Sequence, residues 1–340
     1  MKLDKNYILD LAQEILMIPS PSGYTKAIVE RIKSEAKQYN LKTEQTKKGN
    51  LILTVPGRTP KALGLSVHVD TLGAMVRSIS SDGTLKFTTI GGPSWPTMDG
   101  EYCTIQTRDD KRYTGTFLST SPAVHVYKDA NTKVRNPENM IVRIDEVVKS
   151  KEDVQKLGIE VGNYIFFDPK TTITPSGFIK SRFLDDKINV ASMFGLIKLL
   201  QDTNTTPKQT LKIIISTYEE VGHGAAFIPE LDEMVAVDMG CIGDDLSCTE
   251  YDVSICAKDS SGPYDYDITN SFAAIAKQEK LSYAVDIYPY YGSDVSAALR
   301  GGNDIKGGLI GPGVHASHGM ERTHYSALEN TIKLLYYYIK

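Results

Sequence analysis

The sequence predicts an α/β protein whose sheet-forming domain is split by a β-rich insertion, and three observations predict it. Short apolar runs at 62–67, 211–218 and 234–237 have the length and β-branched content of buried strands. Segments of helical periodicity alternate with such runs, the pattern of a parallel sheet covered by helices. Between about 72 and 168 that alternation stops. Short strands broken by Gly, Thr, Asp and Pro take its place, as at Gly91-Gly92-Pro93 and Thr107-Arg108-Asp109-Asp110. That texture predicts a small, mostly β domain of barrel type.

The elements follow in order. Ile8, Leu9, Leu11, Ala12, Ile15, Leu16 and Ile18 form a helical stripe over 6–18, which Pro19-Ser20-Pro21-Ser22-Gly23 ends. Ala27, Ile28, Ile32 and Ala36 predict a helix over 25–39, and strands follow at 50–55 and 62–69. Inside the insertion only 150–157 carries a weak helical pattern. Helices are then expected over 186–201, after Gly224, and over 266–279, 294–300 and 325–338. Strands are expected at 211–217, 234–238, 251–257, 283–288 and 305–310. The chain therefore divides into a discontinuous α/β domain, 1–70 with 169–340, and an inserted β domain, 71–168.

At 340 residues the chain exceeds the size at which one core stops growing, which agrees with two domains. With 38 basic and 42 acidic residues and no basic run, nothing favours nucleic acid or a membrane surface. No apolar run approaches the ~20 residues that cross a bilayer. Asp10, Gln13 and Glu14 interrupt the first apolar stretch, unlike a signal peptide. The four cysteines, Cys103, Cys241, Cys248 and Cys256, lack C-x-x-C spacing and predict reduced thiols in a cytoplasmic protein.

Three of the apolar runs stop on metal-ligand residues. One ends in His68-Val69-Asp70, one in Glu219-Glu220 and one in Asp238. Open α/β sheets place their sites at the carboxyl ends of strands, so these ends point to one crevice. His and carboxylate are ligands for zinc and similar divalent ions. A metal-binding histidine normally donates its other N–H to a carboxylate, a role open to Asp70. Adjacent carboxylates such as Glu219 and Glu220 repel when buried, and bound cations compensate them. Asp185-Asp186 opens a helix, where acidic residues also complement the dipole. The tail adds His315, His318 and His324 within ten positions, half of the six histidines.

Two histidines with three or more carboxylates exceed a structural zinc site, which favours cysteine. They fit a two-metal hydrolase. Walker loops, G-x-G-x-x-G, G-x-S-x-G and H-E-x-x-H are all absent.

The order His68-x-Asp70, Asp185, Glu219-Glu220, Asp238, His324 resembles that of the glutamyl and tetrahedral (TET) aminopeptidases, dinuclear metallopeptidases. The likeness spans nearly the whole chain, including Ile18-Pro19-Ser20-Pro21-Ser22-Gly23 and Gly292-Ser293-Asp294, which is similar to a Gly-Thr-Asp segment near the family's substrate pocket. It implies a zinc-exopeptidase-like mixed sheet flanked by helices, with an inserted small β-barrel used for dimerisation. It further implies two divalent ions per subunit, zinc or cobalt, with manganese also suited. His68 would bind one ion and His324 the other, Asp185 would bridge them, and Glu220 and Asp238 would complete one ion each. Glu219 would be the general base and acid, and Asp70 would orient His68. The residues themselves do not separate Glu219 from Glu220 or choose among the tail histidines. The family supplies both assignments, with His318 the fallback because Glu321-Arg322-Thr323-His324 departs from the usual Arg-Tyr-x-His. Substrates would be short peptides, and subunits would assemble as dimers or tetrahedral dodecamers.

Two other readings share the metal cage or lack its chemistry. An amidohydrolase or carboxypeptidase would need an arginine for a substrate carboxylate, and Arg300 and Arg322 are available. A non-catalytic scaffold would be expected to have lost a ligand or Glu219, and neither is lost.

Overall fold

A computed structural model describes residues 2–340, and the chain forms two compact units. One runs up to Thr71 and resumes over Lys170–Lys340; the other is Leu72–Pro169.

The first unit opens with helices α1 (Lys5–Leu16) and α2 (Lys26–Gln38) and strands β1 (Lys42–Gln45), β2 (Leu51–Val55) and β3 (Thr59–His68). The second unit contributes β4 (Gly73–Ile79), β5 (Leu85–Ile90), β6 (Tyr102–Gln106), β7 (Arg112–Ser119), β8 (Met140–Ile144), α3 (Lys151–Lys156) and β9 (Tyr164–Phe167). The first unit then continues with β10 (Thr172–Ile173), β11 (Phe178–Ser181), α4 (Leu184–Asp202), β12 (Gln209–Ser216), β13 (Glu233–Val237), β14 (Gly240–Cys241) and β15 (Val253–Asp259). It closes with β16 (Gly262–Pro263), α5 (Tyr266–Gln278), β17 (Tyr283–Ile287), α6 (Asp294–Arg300), β18 (Lys306–Val314), β19 (Glu321–His324) and α7 (Tyr325–Ile339).

In the second unit six antiparallel strands close a barrel in the order β4-β5-β8-β7-β6-β9. Along β7 the buried positions alternate, Gly115, Phe117 and Ser119, as period-two side-chain direction requires. Phe117 fills the interior, stacked on Phe167 at 4.7 Å and edge-on to Phe87 at 4.9 Å.

The first unit is built on a mixed sheet in the order β1-β2-β12-β3-β13-β18-β15-β16, with β17 beside β15. Its centre, β12-β3-β13, is parallel, with Ser216 opposite His68 and Ala236 opposite Ser66. These strands are buried on both faces through their carboxyl halves, which explains their unbroken apolar sequence. Helix α4 is buried almost all round from Leu184 to Leu200, with α1 and α7 packed against it. Gly195 permits that approach, since a Cβ there would stand 2.8 Å from Ile8 Cδ1. Asp4 caps α1 by accepting from Tyr7 N at 3.1 Å.

The helix expected after Gly224 does not form. A single 3₁₀ turn spans Glu219–Val221, Gly222 ends it at φ +81°, and irregular chain follows into Pro229. Two glycines and a proline leave no run long enough to propagate a helix. No helix among the described residues is long and apolar enough to cross a membrane.

Candidate metal centre

Because β12, β3 and β13 lie side by side and parallel, their carboxyl ends share one edge of the sheet. His68 is the last residue of β3, Asp238 directly follows β13, and Glu219 lies three residues past β12. Asp185 and Asp186, joined by a cis peptide bond, enter from the first turn of α4. Phe183, just before them, holds a left-handed backbone at φ +69°, a conformation bulky residues seldom adopt outside functional sites. Gly311 lets β18 pass, since a Cβ there would lie 1.8 Å from Asp238 O.

Asp185 is the middle of the cluster. Its Oδ1 is 2.9 Å from His68 Nε2, and its Oδ2 is 3.5 Å from His318 Nε2. Glu220 Oε2 is 3.6 Å from His318 Nε2, while Glu219 Oε2 and Asp238 Oδ2 are 3.7 and 4.0 Å from His68 Nε2. The side chains of His68, Asp185, Asp238 and Glu220 are nearly or wholly buried, and His318 is partly exposed. His68 Nδ1 donates to Asp70 O at 2.9 Å, which turns Nε2 toward Asp185.

The structure therefore brings His68, Asp185, Glu219, Glu220 and Asp238 together, and it leaves His324 out. His324 caps α7: its Nδ1 accepts from Ser326 N at 3.1 Å and its Nε2 donates to Ser176 O at 2.9 Å. Both ring nitrogens are thus engaged, and the ring packs on Phe178 and Tyr251. His318, the fallback, lies beside Asp185 and Glu220 instead. It sits in the loop between β18 and β19 with φ +62°, a backbone state histidine tolerates better than most residues. His315 pairs through its backbone with Arg322, outside the cluster.

Asp70 differs in detail from expectation. Its backbone carbonyl orients His68, whereas its carboxylate lies 3.6 Å from Nδ1. The carboxylate accepts instead from Glu219 N at 3.0 Å, Glu220 N at 3.2 Å and Ser22 Oγ at 2.5 Å. Asp186 accepts from His68 N and Asn189 Nδ2, so both its oxygens serve the backbone and helix. Sequence reasoning missed Glu321, whose buried carboxylate accepts from Asp185 N and His318 N, both at 3.0 Å. Its only sequence signal is the spacing His318-x-x-Glu321 in a loop.

The electrostatics call for positive charge. Burial pushes Asp238 up to about 7 and Glu321 up to about 8, with the Asp185 charge adding to both. Burial also drives Glu219 and Glu220 well above the carboxylate range, reinforced by neighbouring acids. Burial acts on Asp185 in the same sense, but hydrogen bonds from His318 and His68 outweigh it and hold that carboxyl low. Burial alone would lower His68; Asp185, Glu219 and Asp238 raise it instead. Divalent ions displace such protons and satisfy the acids together. One atom fits them directly: Glu220 Oε1 is buried with no hydrogen-bond partner among the described residues. His68, Asp185 and Glu220 offer donor atoms within 4.8 Å of one another, as do His68, Asp186 and Asp238.

A cavity of about 240 Å³ opens on the cluster, lined also by Tyr290, Tyr291, Ser293, Asp294 and Arg300. Asp294 accepts from Ser66 Oγ and Ala225 N, tying α6 to β3 and to the loop after Glu219. A larger cavity, about 500 Å³, shares Arg300 but none of the cluster, and its buried Asp259 is saturated by Ser261, Tyr264 and Ser296. Chemistry, not size, marks the functional one. Arg322 is engaged twice by Glu250 and lies outside the smaller cavity's lining.

A His–carboxylate cluster at the carboxyl ends of a parallel sheet, open to a small cavity, defines a metal-dependent hydrolase. The profile of the M42 glutamyl aminopeptidases matches residues 49–334. YhfE of Bacillus subtilis (strain 168), named as an aminopeptidase, is 49% identical over 335 residues, 98% of this chain and 97% of that protein. The chain belongs to the M42 glutamyl aminopeptidase family and is a metal-dependent aminopeptidase. Its fold matches the TET aminopeptidase of a marine-sediment Thaumarchaeota archaeon at TM-score 0.88 and 20% identity, covering 98% of this chain and 96% of that one. It also matches the Pyrococcus horikoshii TET1 peptidase at TM-score 0.84 and 22% identity, covering 98% and 99%.

Proposed function

We propose that the protein removes N-terminal residues from short peptides and that the cluster around Asp185 would hold two divalent ions for this reaction. The observation that carries this reading is the position of Asp185, one carboxylate oxygen toward His68 and the other toward His318. His68 and Asp238 would hold one ion with Asp185, and His318 and Glu220 the other; zinc or cobalt suits these donors. When bound, the pair polarises a carbonyl oxygen and lowers the pKa of a water at the site. Glu219, beside His68 and lining the cavity, takes a proton from the attacking water and delivers it to the leaving amine. Asp70 keeps both glutamates in place through their amides. Acids predominate in the cavity lining, which favours the α-ammonium of an unblocked peptide.

Arg300 supports a second reading, an amidohydrolase or carboxypeptidase that grips a substrate carboxylate. It lines the cavity, and among the described residues its side chain donates to Ser261 Oγ, at 3.2 Å. A panel of aminoacyl p-nitroanilides and N-acetylated amino acids, assayed after chelation and again with zinc, cobalt or manganese restored, separates the two. Hydrolysis of the unblocked substrates alone, lost on chelation, is expected. Turnover of the acetylated set instead would overturn the aminopeptidase reading.

The Pyrococcus horikoshii TET1 peptidase assembles into a tetrahedron or a large octahedral shell. A closed assembly of this chain, with dimers made through the barrel, would confine it to short peptides. Exposed Tyr102, Val126 and Val147 give the barrel unit apolar surface for such contacts. Sedimentation at a dodecamer's mass is the expected result, and a monomer at micromolar concentration counts against it.

A further inference from the structure

The loop between α1 and α2 sends no side chain into the cavity, yet it is bonded to α4 and to the segment Val69–Thr71 that follows β3. Lys187, fully buried in α4, donates to Ile18 O at 2.6 Å. Ser20 Oγ donates to Val69 O at 2.7 Å, and Thr71 N donates to Ser20 O at 2.9 Å. Ser22 Oγ then donates to Asp70 Oδ2 at 2.5 Å, with Asp70 wholly buried.

An aspartate carboxylate turns about a broad, roughly twofold torsion, so its hydrogen-bond donors fix its plane. Two donors to Asp70, the amides of Glu219 and Glu220, belong to the turn that Asp70 holds and would follow it if it rotated. The third, Ser22, comes from the tethered loop. The same aspartate receives His68 Nδ1 on its carbonyl.

We propose that Ser22 is a positioning residue. Through Asp70 it sets where the Glu219–Glu220 turn begins and keeps His68 Nε2 directed at Asp185. This inference rests on the metal-dependent reading given above.

The test compares Ser22→Ala, Ser22→Thr and Ser20→Ala in the full chain, with zinc affinity from chelator competition, kcat and KM measured separately, and Tm. Ser22→Ala is expected to weaken zinc binding about tenfold, the lower end for residues that support metal ligands. Its kcat should fall by about the same factor with KM within about twofold. Ser22→Thr restores both, because it keeps the hydroxyl. Ser20→Ala breaks the loop's bond to Val69 O without touching Asp70, and it lowers Tm alone. Ser22→Cys, a weaker donor of similar shape, must move affinity and kcat in the same direction if the alanine variant does not fold. Wild-type affinity and kcat in Ser22→Ala, equal losses in the Ala and Thr variants, or the same losses in Ser20→Ala would each overturn the proposal. An inactive wild-type protein would defeat the aminopeptidase reading instead, and the affinity comparison would still decide the role of Ser22.

Discussion

Replacing Glu219 by glutamine is expected to lower kcat by about 10²–10⁴-fold, the contribution of a positioned acid–base group. Bound metal, measured by elemental analysis, should stay at the wild-type level. The substitution keeps shape and backbone, so Glu219 N still donates to Asp70 and the 3₁₀ turn is kept. What is lost is an oxygen able to take a proton. Glu220→Gln acts differently, because that side chain lies against His318 and carries the unpartnered Oε1. Its loss should appear first in metal affinity. Wild-type turnover in Glu219→Gln would show that the base is another group.

His318→Ala and His324→Ala should separate cleanly although the residues are six positions apart. The first removes the ring nitrogen nearest Asp185 Oδ2 and Glu220 Oε2, so metal content should fall toward one ion per chain with activity down at least about tenfold. The second removes only a helix cap, costing about 1 kcal/mol seen as a lower Tm, with activity and metal content unchanged. The reverse pattern, metal lost from the His324 variant and kept in the other, would place the second ion elsewhere.

These two histidines also show where sequence reading ran out. The three strand ends were legible because a parallel strand buried on both faces is an unbroken apolar run, and a polar residue at its end stands out. The barrel was legible because helical periodicity vanishes across its span. No such periodicity marks the loop that carries His318, where Ala316 and His318 both have positive φ. His324 came from the family resemblance, but its position caps a helix, and the ring is used for that. Glu321 gave little signal beyond its spacing from His318, because its work, accepting the amides of Asp185 and His318 together, is invisible until α4 lies beside it. For the same reason the sequence could link Asp70 to His68 but not to the turn after β12. The excess helix after Gly224 came from extending an alternation that two glycines and a proline interrupt.

The strand carrying His68 has no sheet partner among the described residues translated before it. It pairs with β12 and β13, and both lie beyond the barrel, as does the β12 edge that joins β2 to the sheet. The barrel's six strands, by contrast, pair among themselves in a closed ring. As the chain leaves the ribosome, the inserted unit can close while the hydrolytic half is still waiting for its middle. Long-range parallel pairing of this kind is slow, and the exposed apolar edge of β3 is the stretch that a nascent chain most needs to keep from sticking to its neighbours.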